Sequence, residues 1–212
     1  MSEQIKKPSI KKYFDNVSIG KRTKQVVYFV QQHDKTTMFE QLIKNAPNKQ
    51  TVVVTKSKSN ADTLNSYLKT QNIQALAVHG NHRTEQLEDA SKAFNASELN
   101  ILITTDMILK SLELKNIQLI INYDLPIQPE EYFVRLAHVD EVGEAISLVD
   151  PEENGILQII EMKMKLEIPE EEIEGFVTTS APLKKEKKKK LRHRKKKKKA
   201  DAYTQRETTQ SK

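Results

Sequence analysis

Thirteen cationic side chains and a single Glu fall between Lys184 and Lys199: Lys184, Lys185, Lys187, Lys188, Lys189, Lys190, Arg192, Arg194, Lys195, Lys196, Lys197, Lys198 and Lys199. Cations at this density neutralise polyanions. Phosphate contacts by such a segment are indifferent to sequence, and they weaken about 10³–10⁵-fold between low and moderate salt when some 6–10 form. Arginine is scarce here and Tyr203 is the nearest aromatic, so base stacking adds little. A solubilising or nuclear-type address signal is the alternative, but the charge exceeds what solubility requires. Other chemistries are poorly supplied. With no cysteine there is no disulfide scaffold, thiolate zinc site or cysteine nucleophile. His138 has no ligand partner at metal spacing and reads as a surface histidine. No GxxxxGK[ST] phosphate loop occurs, and five glycines in all leave little scope for a disguised one.

The elements that must position any site lie upstream, in a body of opposite charge. The formal net charge is +6, yet residues 1–25 sum to +5, residues 184–199 to +12 and residues 26–183 to −11. The body is long enough for one domain with its own core. No run approaches 18 apolar residues, and the start lacks the apolar stretch of a secretory signal, so a cytoplasmic protein with no membrane partner is the expectation. Strands are expected at Gln25–Val30, Thr51–Thr55, Ala75–Val78, Ile101–Thr105, Leu119–Asn122 and Ala145–Val149. Amphipathic helices are expected over Lys35–Lys44, around Leu64, Tyr67 and Leu68 with Ser59, Asn60 or Asp62 as cap, and around Leu87, Ala90 and Phe94. Most strands are continuous apolar runs, as strands buried on both faces are, which predicts an α/β fold with a mostly parallel sheet between helices. Ligands of such sheets gather beyond the carboxyl ends of the strands, so Ser57, Lys58, His79, Gly80, Thr105, Asp106, Tyr123 and Asp124 are the positions to inspect.

Those post-strand segments resemble the second RecA-like domain of DEAD-box RNA helicases, over about residues 17–176. TVVVTKSKSNAD (51–62) stands at the family's strand and Thr-Lys turn, and VHG (78–80) at its histidine-glycine turn. ILITTDMILKSLEL (101–114) is similar to ILVATDVAARGLDI, and IQLIINYDLP (117–126) to VDLVINYDLP. The segment 130–153 occupies the place of HRIGRTGR, and KLEIPEEEIEGF (165–176) looks like the closing element. The resemblance implies a three-layer RecA-like domain at 26–176, a basic linker segment at 1–25 and a disordered Lys-rich tail at 177–212. It also implies RNA-backbone contacts at Ser57, Lys58, Gly80, Thr105 and Lys110, with Arg83 near a family arginine position now held by Leu87. Vestigial nucleotide contacts fall on Glu113 and Arg135. For Thr105, Ser57 and Lys58 a structural role competes with RNA contact. Arg135 either binds nucleotide phosphate or, the favoured reading, pairs with a local carboxylate such as Asp106 or Glu131.

The departures point away from catalysis. The family's first RecA-like domain, with its Gly-Lys-Thr loop and Asp-Glu-Ala-Asp motif, has no counterpart here, and the chain reads as a helicase cut near its interdomain linker. Aligned on Tyr132 and Arg135, the two finger arginines fall on His138 and Glu141. Such a finger is worth about 10³–10⁵ in rate, and a carboxylate in its place repels the transferring phosphoryl group. Arg-Gly-Leu-Asp reads Lys110-Ser111-Leu112-Glu113, which keeps the cation but not its planar fork. The expectation is a non-catalytic RNA-binding protein without cofactor, ATP binding being unlooked-for without a first domain, whose partner is a structured RNA such as ribosomal RNA. Two alternatives stand beside it. One is a protein-interaction module, with the partner on the acidic domain, in an RNA-processing or ribosome-assembly complex; the other is a half-helicase that completes an ATP-dependent enzyme in trans. The acidic run Glu170–Glu174 is expected as a solvated turn, or folded back on the basic tail.

Overall fold

β-Branched runs build the sheet. The computed structural model describes residues 15–179, apart from Pro47 and Glu141. Six strands pair: β1 (Lys24–Phe29), β2 (Thr51–Thr55), β3 (Leu76–Ala77), β4 (Ile101–Thr105), β5 (Leu119–Asn122) and β6 (Glu144–Val149). Their order is β1-β6-β5-β2-β4-β3, and every pairing is parallel. The helices are α1 (Asn16–Arg22), α2 (Lys35–Asn45), α3 (Lys58–Thr70), α4 (Thr84–Asn95), α5 (Asp106–Leu109), α6 (Pro129–His138) and α7 (Asn154–Met164). The pleat sends alternate strand residues to opposite layers. Val53, Ile103, Ile121 and Leu148 meet Met38, Phe39, Leu64 and Leu68 of α2 and α3. Val52, Val54, Leu102 and Ile120 meet Phe94, Tyr132, Leu136, Ile160 and Met164 of α4, α6 and α7. The three-layer architecture is therefore the expected one, and β2 is buried at every position because helices cover both its faces. Among the described residues, no helix is long and apolar enough to cross a membrane.

Described structure begins before residue 26 and continues past residue 176 as far as Thr179. Before residue 26, α1 buries Ile19 and Gly20, and the glycine lies against the Met164 side chain where a Cβ would clash. The acidic run Glu170–Glu174 keeps its glutamates exposed, as expected of a solvated segment, while its backbone is tied to β1. The Val27 amide donates to the Pro169 carbonyl (2.9 Å) and the Glu171 amide to the Val27 carbonyl (3.0 Å). β1 is a sheet edge with outward-facing backbone groups, and this strap pairs those of Val27. Ile173 and Phe176 then pack on the α2–α3 cluster, and Thr179 donates its amide (2.9 Å) and hydroxyl (2.5 Å) to the Asp34 carboxylate. Burial raises the proton affinity of Asp34, but the two Thr179 bonds outweigh it and hold the carboxyl below its usual range. The rest of the expected tail, from Ser180 on, lies outside the described residues, and with it every cation of 184–199.

The start of α3 also differs from expectation. Its N-cap is Ser57, whose Oγ accepts the Asn60 amide at 3.1 Å. The helix begins three residues after β2 ends, early enough to bring Ala61 into the core beside Leu64 and Leu68. Ser59, Asn60 and Asp62 are consequently inside it rather than capping it.

Candidate nucleic-acid interface

β2, β4 and β3 are neighbours in the sheet, so their carboxyl ends place three turns side by side. After β2 come Lys56, Ser57 and Lys58. Asp124, at the end of β5, fixes this turn: its Oδ2 accepts the Lys56 amide (2.9 Å) and the Asn60 side-chain amide (3.0 Å). Lys58 Nζ reaches across to Asn81 Oδ1 at 2.7 Å, in the turn after β3. Gly80 lets the two turns approach: a Cβ there would sit 3.3 Å from Lys58 Nζ and 4.0 Å from Cδ1 of Ile108, on α5 after β4. His79 Nε2 donates to Asp62 Oδ1 (2.9 Å), and its ring meets that of His82 at a tilt, centroids 4.3 Å apart, which fixes the loop that Arg83 ends. Arg83 caps α4 through its backbone, its amide donating to Gln86 Oε1 at 2.9 Å. Thr105 stands at the N-cap of α5. Free amides at the starts of α3 and α4 carry partial positive charge towards the same rim. Ser57, Lys58, Gly80, Arg83 and Thr105 thus share one edge of the domain, as a surface for phosphates requires.

The two expected nucleotide contacts are not brought together. Arg135 is fully buried, 0% exposed, and its guanidinium is fully engaged. It holds Asp106 through a bidentate pair (Nε–Oδ1 2.6 Å, Nη2–Oδ2 2.8 Å), while Nη1 donates to Asn122 Oδ1 (2.9 Å) and the Asp124 carbonyl (2.8 Å). A guanidinium in this lattice offers no face to a nucleotide, so Arg135 is structural and its partner is Asp106, not Glu131. It ties α6 to the ends of β4 and β5 and shapes the turn bearing Thr105. Glu131 pairs with Lys110 at 2.6 Å instead, in a partly exposed bridge. Glu113 is exposed in a separate groove of about 580 Å³ between α4 and the segment after α5, with Thr84, Leu87 and Lys92 around it. Of the two finger positions, His138 lies half-buried in the last turn of α6 rather than at the surface, and Glu141 is outside the described residues.

Sequence reasoning missed a buried charge cluster beneath the rim. Lys35, 0% exposed at the start of α2, lies 2.6 Å from Glu153, 3.3 Å from Asp150 and 3.7 Å from Asp124. One cation faces three carboxylates. Backbone amides share the load: Glu153 accepts from Leu125 (2.9 Å) and Asp150 from Glu152 (2.8 Å). Since Asp124 also anchors the Lys56–Asn60 turn, the cluster holds that part of the rim in place. The only sequence signal was a lysine in the first turn of an amphipathic helix, where the helix dipole favours acids. Lys56 was passed over as well; its ammonium has no partner among the described residues. Among the described residues no group of three or more His, Asp or Glu side chains is arranged to hold a metal ion, the three carboxylates of the cluster being occupied by Lys35.

A wholly parallel sheet with six strands, two helical layers and a rim built from the turns after β2, β3 and β4 defines a RecA-like helicase domain. The chain belongs to the helicase conserved C-terminal domain family, whose model matches residues 34–139. Among curated proteins it is similar to the DEAD-box ATP-dependent RNA helicase RhpA of Helicobacter pylori, 28% identical over 155 residues covering 72% of this chain and 30% of that protein. It is also 30% identical over 134 residues to the ATP-dependent RNA helicase vasa of Drosophila melanogaster, covering 62% and 20% respectively. The chain thus spans less than a third of the length of these relatives. Among solved structures it resembles a DEAD box protein from the hyperthermophile Methanococcus jannaschii, with 29% identity, a TM-score of 0.68 and coverage of 73% and 43%. The E. coli DEAD-box protein SrmB, solved bound to a regulator of ribonuclease activity, shares the fold at 20% identity and a TM-score of 0.67, over 75% of this chain and 98% of that one.

Proposed function

We propose that this chain binds RNA without hydrolysing ATP, the Lys184–Lys199 segment supplying affinity and the rim orienting the backbone. The observation that carries this reading is the meeting of Ser57, Lys58 and Gly80 with Asn81 on one edge of a domain related to RNA helicases. Support for the non-catalytic half comes from His138 and Glu141 at the finger positions and from an Arg135 committed to Asp106. The cationic segment enters through its sequence alone, as +12 joined to a body of −11. That body repels phosphate on average, so attraction must come from the segment and direction from the locally basic rim. Electrophoretic titration of a structured RNA against the full chain and a version ending at Ser180 tests the division of labour. The shorter version should bind orders of magnitude more weakly at low salt while keeping its circular dichroism spectrum; equal affinity would sink the reading.

The −11 body favours one further reading, a protein partner on the acidic domain in an RNA-processing assembly. A partner that stays bound through nuclease treatment would support it.

A further inference from the structure

Beside the rim, between the ends of β4 and β5, lies an open cleft of about 430 Å³ lined by Lys56, Asp106, Met107, Lys110, Ile127, Gln128 and Glu131. Its charges are unequal in availability. Asp106 is held by Arg135 and Glu131 by Lys110, which leaves the Lys56 ammonium as the unpaired charge. Two apolar side chains stand at the cleft uncovered, Met107 at 77% and Ile127 at 85% exposed, and Ile127 follows directly on the buried segment 121–126. Gln128, with a donor and an acceptor on one amide, stands at the N-cap of α6 without a side-chain bond to its own helix. A ligand suited to this lining has an apolar face, a hydrogen-bonding edge and a negative charge a few ångströms away.

We propose that this cleft takes one unstacked nucleobase of a bound single-stranded RNA, with Met107 and Ile127 against its face, Gln128 at its edge and Lys56 on the adjoining phosphate. The proposal rests on the RNA-binding reading and deepens it by adding a base contact to a rim otherwise suited only to the backbone. Three features favour a nucleotide over another occupant. Lys56 adjoins Ser57 and Lys58, so a strand lying on the rim turn passes the mouth of the cleft. The paired Asp106 and Glu131 add no net charge against an anion. The volume suits one nucleotide rather than a helix or a folded partner. Thioether and branched aliphatic side chains contact all four bases without reading them, so the site discriminates base from no base rather than one base from another.

The test uses the full chain and two fluorescent single-stranded 12-mers, one unmodified and one with abasic ribose at its central positions, titrated by anisotropy. The native protein should bind the unmodified RNA about fivefold more tightly, given that contacts of bases with aromatic side chains are worth more than this. Met107→Ser with Ile127→Ser, both exposed and thus harmless to folding, should erase that preference and leave affinity for the abasic RNA unchanged. Lys56→Gln should weaken both RNAs alike, about twofold. If the native protein binds the two RNAs equally, or the double variant keeps the preference, the cleft is not a base site even though RNA binding stands. If neither RNA binds, the RNA-binding reading falls and the cleft proposal with it.

Discussion

Arg135 and Lys35 show how a buried cation acts in this fold. Each is fully enclosed and each is answered by carboxylates, Asp106 for the arginine and Asp124, Asp150 and Glu153 for the lysine. Removing one member of a buried pair leaves the other desolvated and uncompensated, at a cost of about 3–5 kcal/mol. Arg135→Ala and Lys35→Met should each lower the unfolding free energy by about that amount in urea titrations. Arg135→Lys should rescue little, because an ammonium cannot span Asp106, Asn122 and the Asp124 carbonyl together. A loss below about 1 kcal/mol for either truncation would contradict the assignment. Tyr28 offers a pH-dependent counterpart. Burial first, and then its 2.9 Å bond to Glu171, push its phenol from 10.0 up to about 12. A folded-state value above the unfolded one means the stabilisation is complete below pH 10 and lost as pH rises from 10 towards 12. The thermal midpoint should therefore fall faster over that window in the native chain than in Tyr28→Phe.

At the scale of elements, the seating of α3 holds the rim and that of α1 closes the opposite layer. α3 begins at Lys58 with its first amides facing the turn, and the Ser57 hydroxyl satisfies one of them. Ser57→Ala should cost about 1 kcal/mol in stability, the usual worth of such a cap. It should also weaken RNA binding only slightly, since the backbone amides remain. On the opposite layer, α1 packs on α7 through Gly20, and a methyl group there meets the buried Met164 side chain. Gly20→Ala should destabilise by about 1–3 kcal/mol, as overpacking of a filled core does. Denaturant titration reads both. The strap 169–179 is the element that sequence treated least well. Its glutamates are exposed, as their charge suggested, but nothing in that charge showed that the backbone would pair with β1 or that Ile173 and Phe176 would pack on the core.

For the whole molecule, the separation of charge governs behaviour in salt. If the cationic segment drives association, log Kd against log salt should be steep for the full chain and shallow for the version ending at Ser180, whose net charge is negative. Parallel slopes would place affinity on the domain instead. The same full chain should show no RNA-stimulated ATP hydrolysis in a phosphate-release assay, because His138 and Glu141 stand where the finger arginines would be. Stimulated turnover would restore the half-helicase alternative.

Sequence alone determined the sheet and the rim's location, because buried parallel strands are continuous β-branched runs and their ends are read directly from where those runs stop. TVVVT, ILITT and LIIN fell where β2, β4 and β5 are. α7 was not legible, since Ile156–Ile160 in isolation suits a buried strand as well as a helix. Residue roles were only half legible. Nothing local distinguishes an arginine facing solvent from one enclosed, so Arg135 carried two readings until α6 was seen to pack it onto Asp106. Lys35 carried no reading of its own for the same reason, its three carboxylates being 89, 115 and 118 residues away in sequence. Charge content is local and belongs to the sequence; the partner of each buried charge is set by which distant elements the core brings together, and only the tertiary structure decides it.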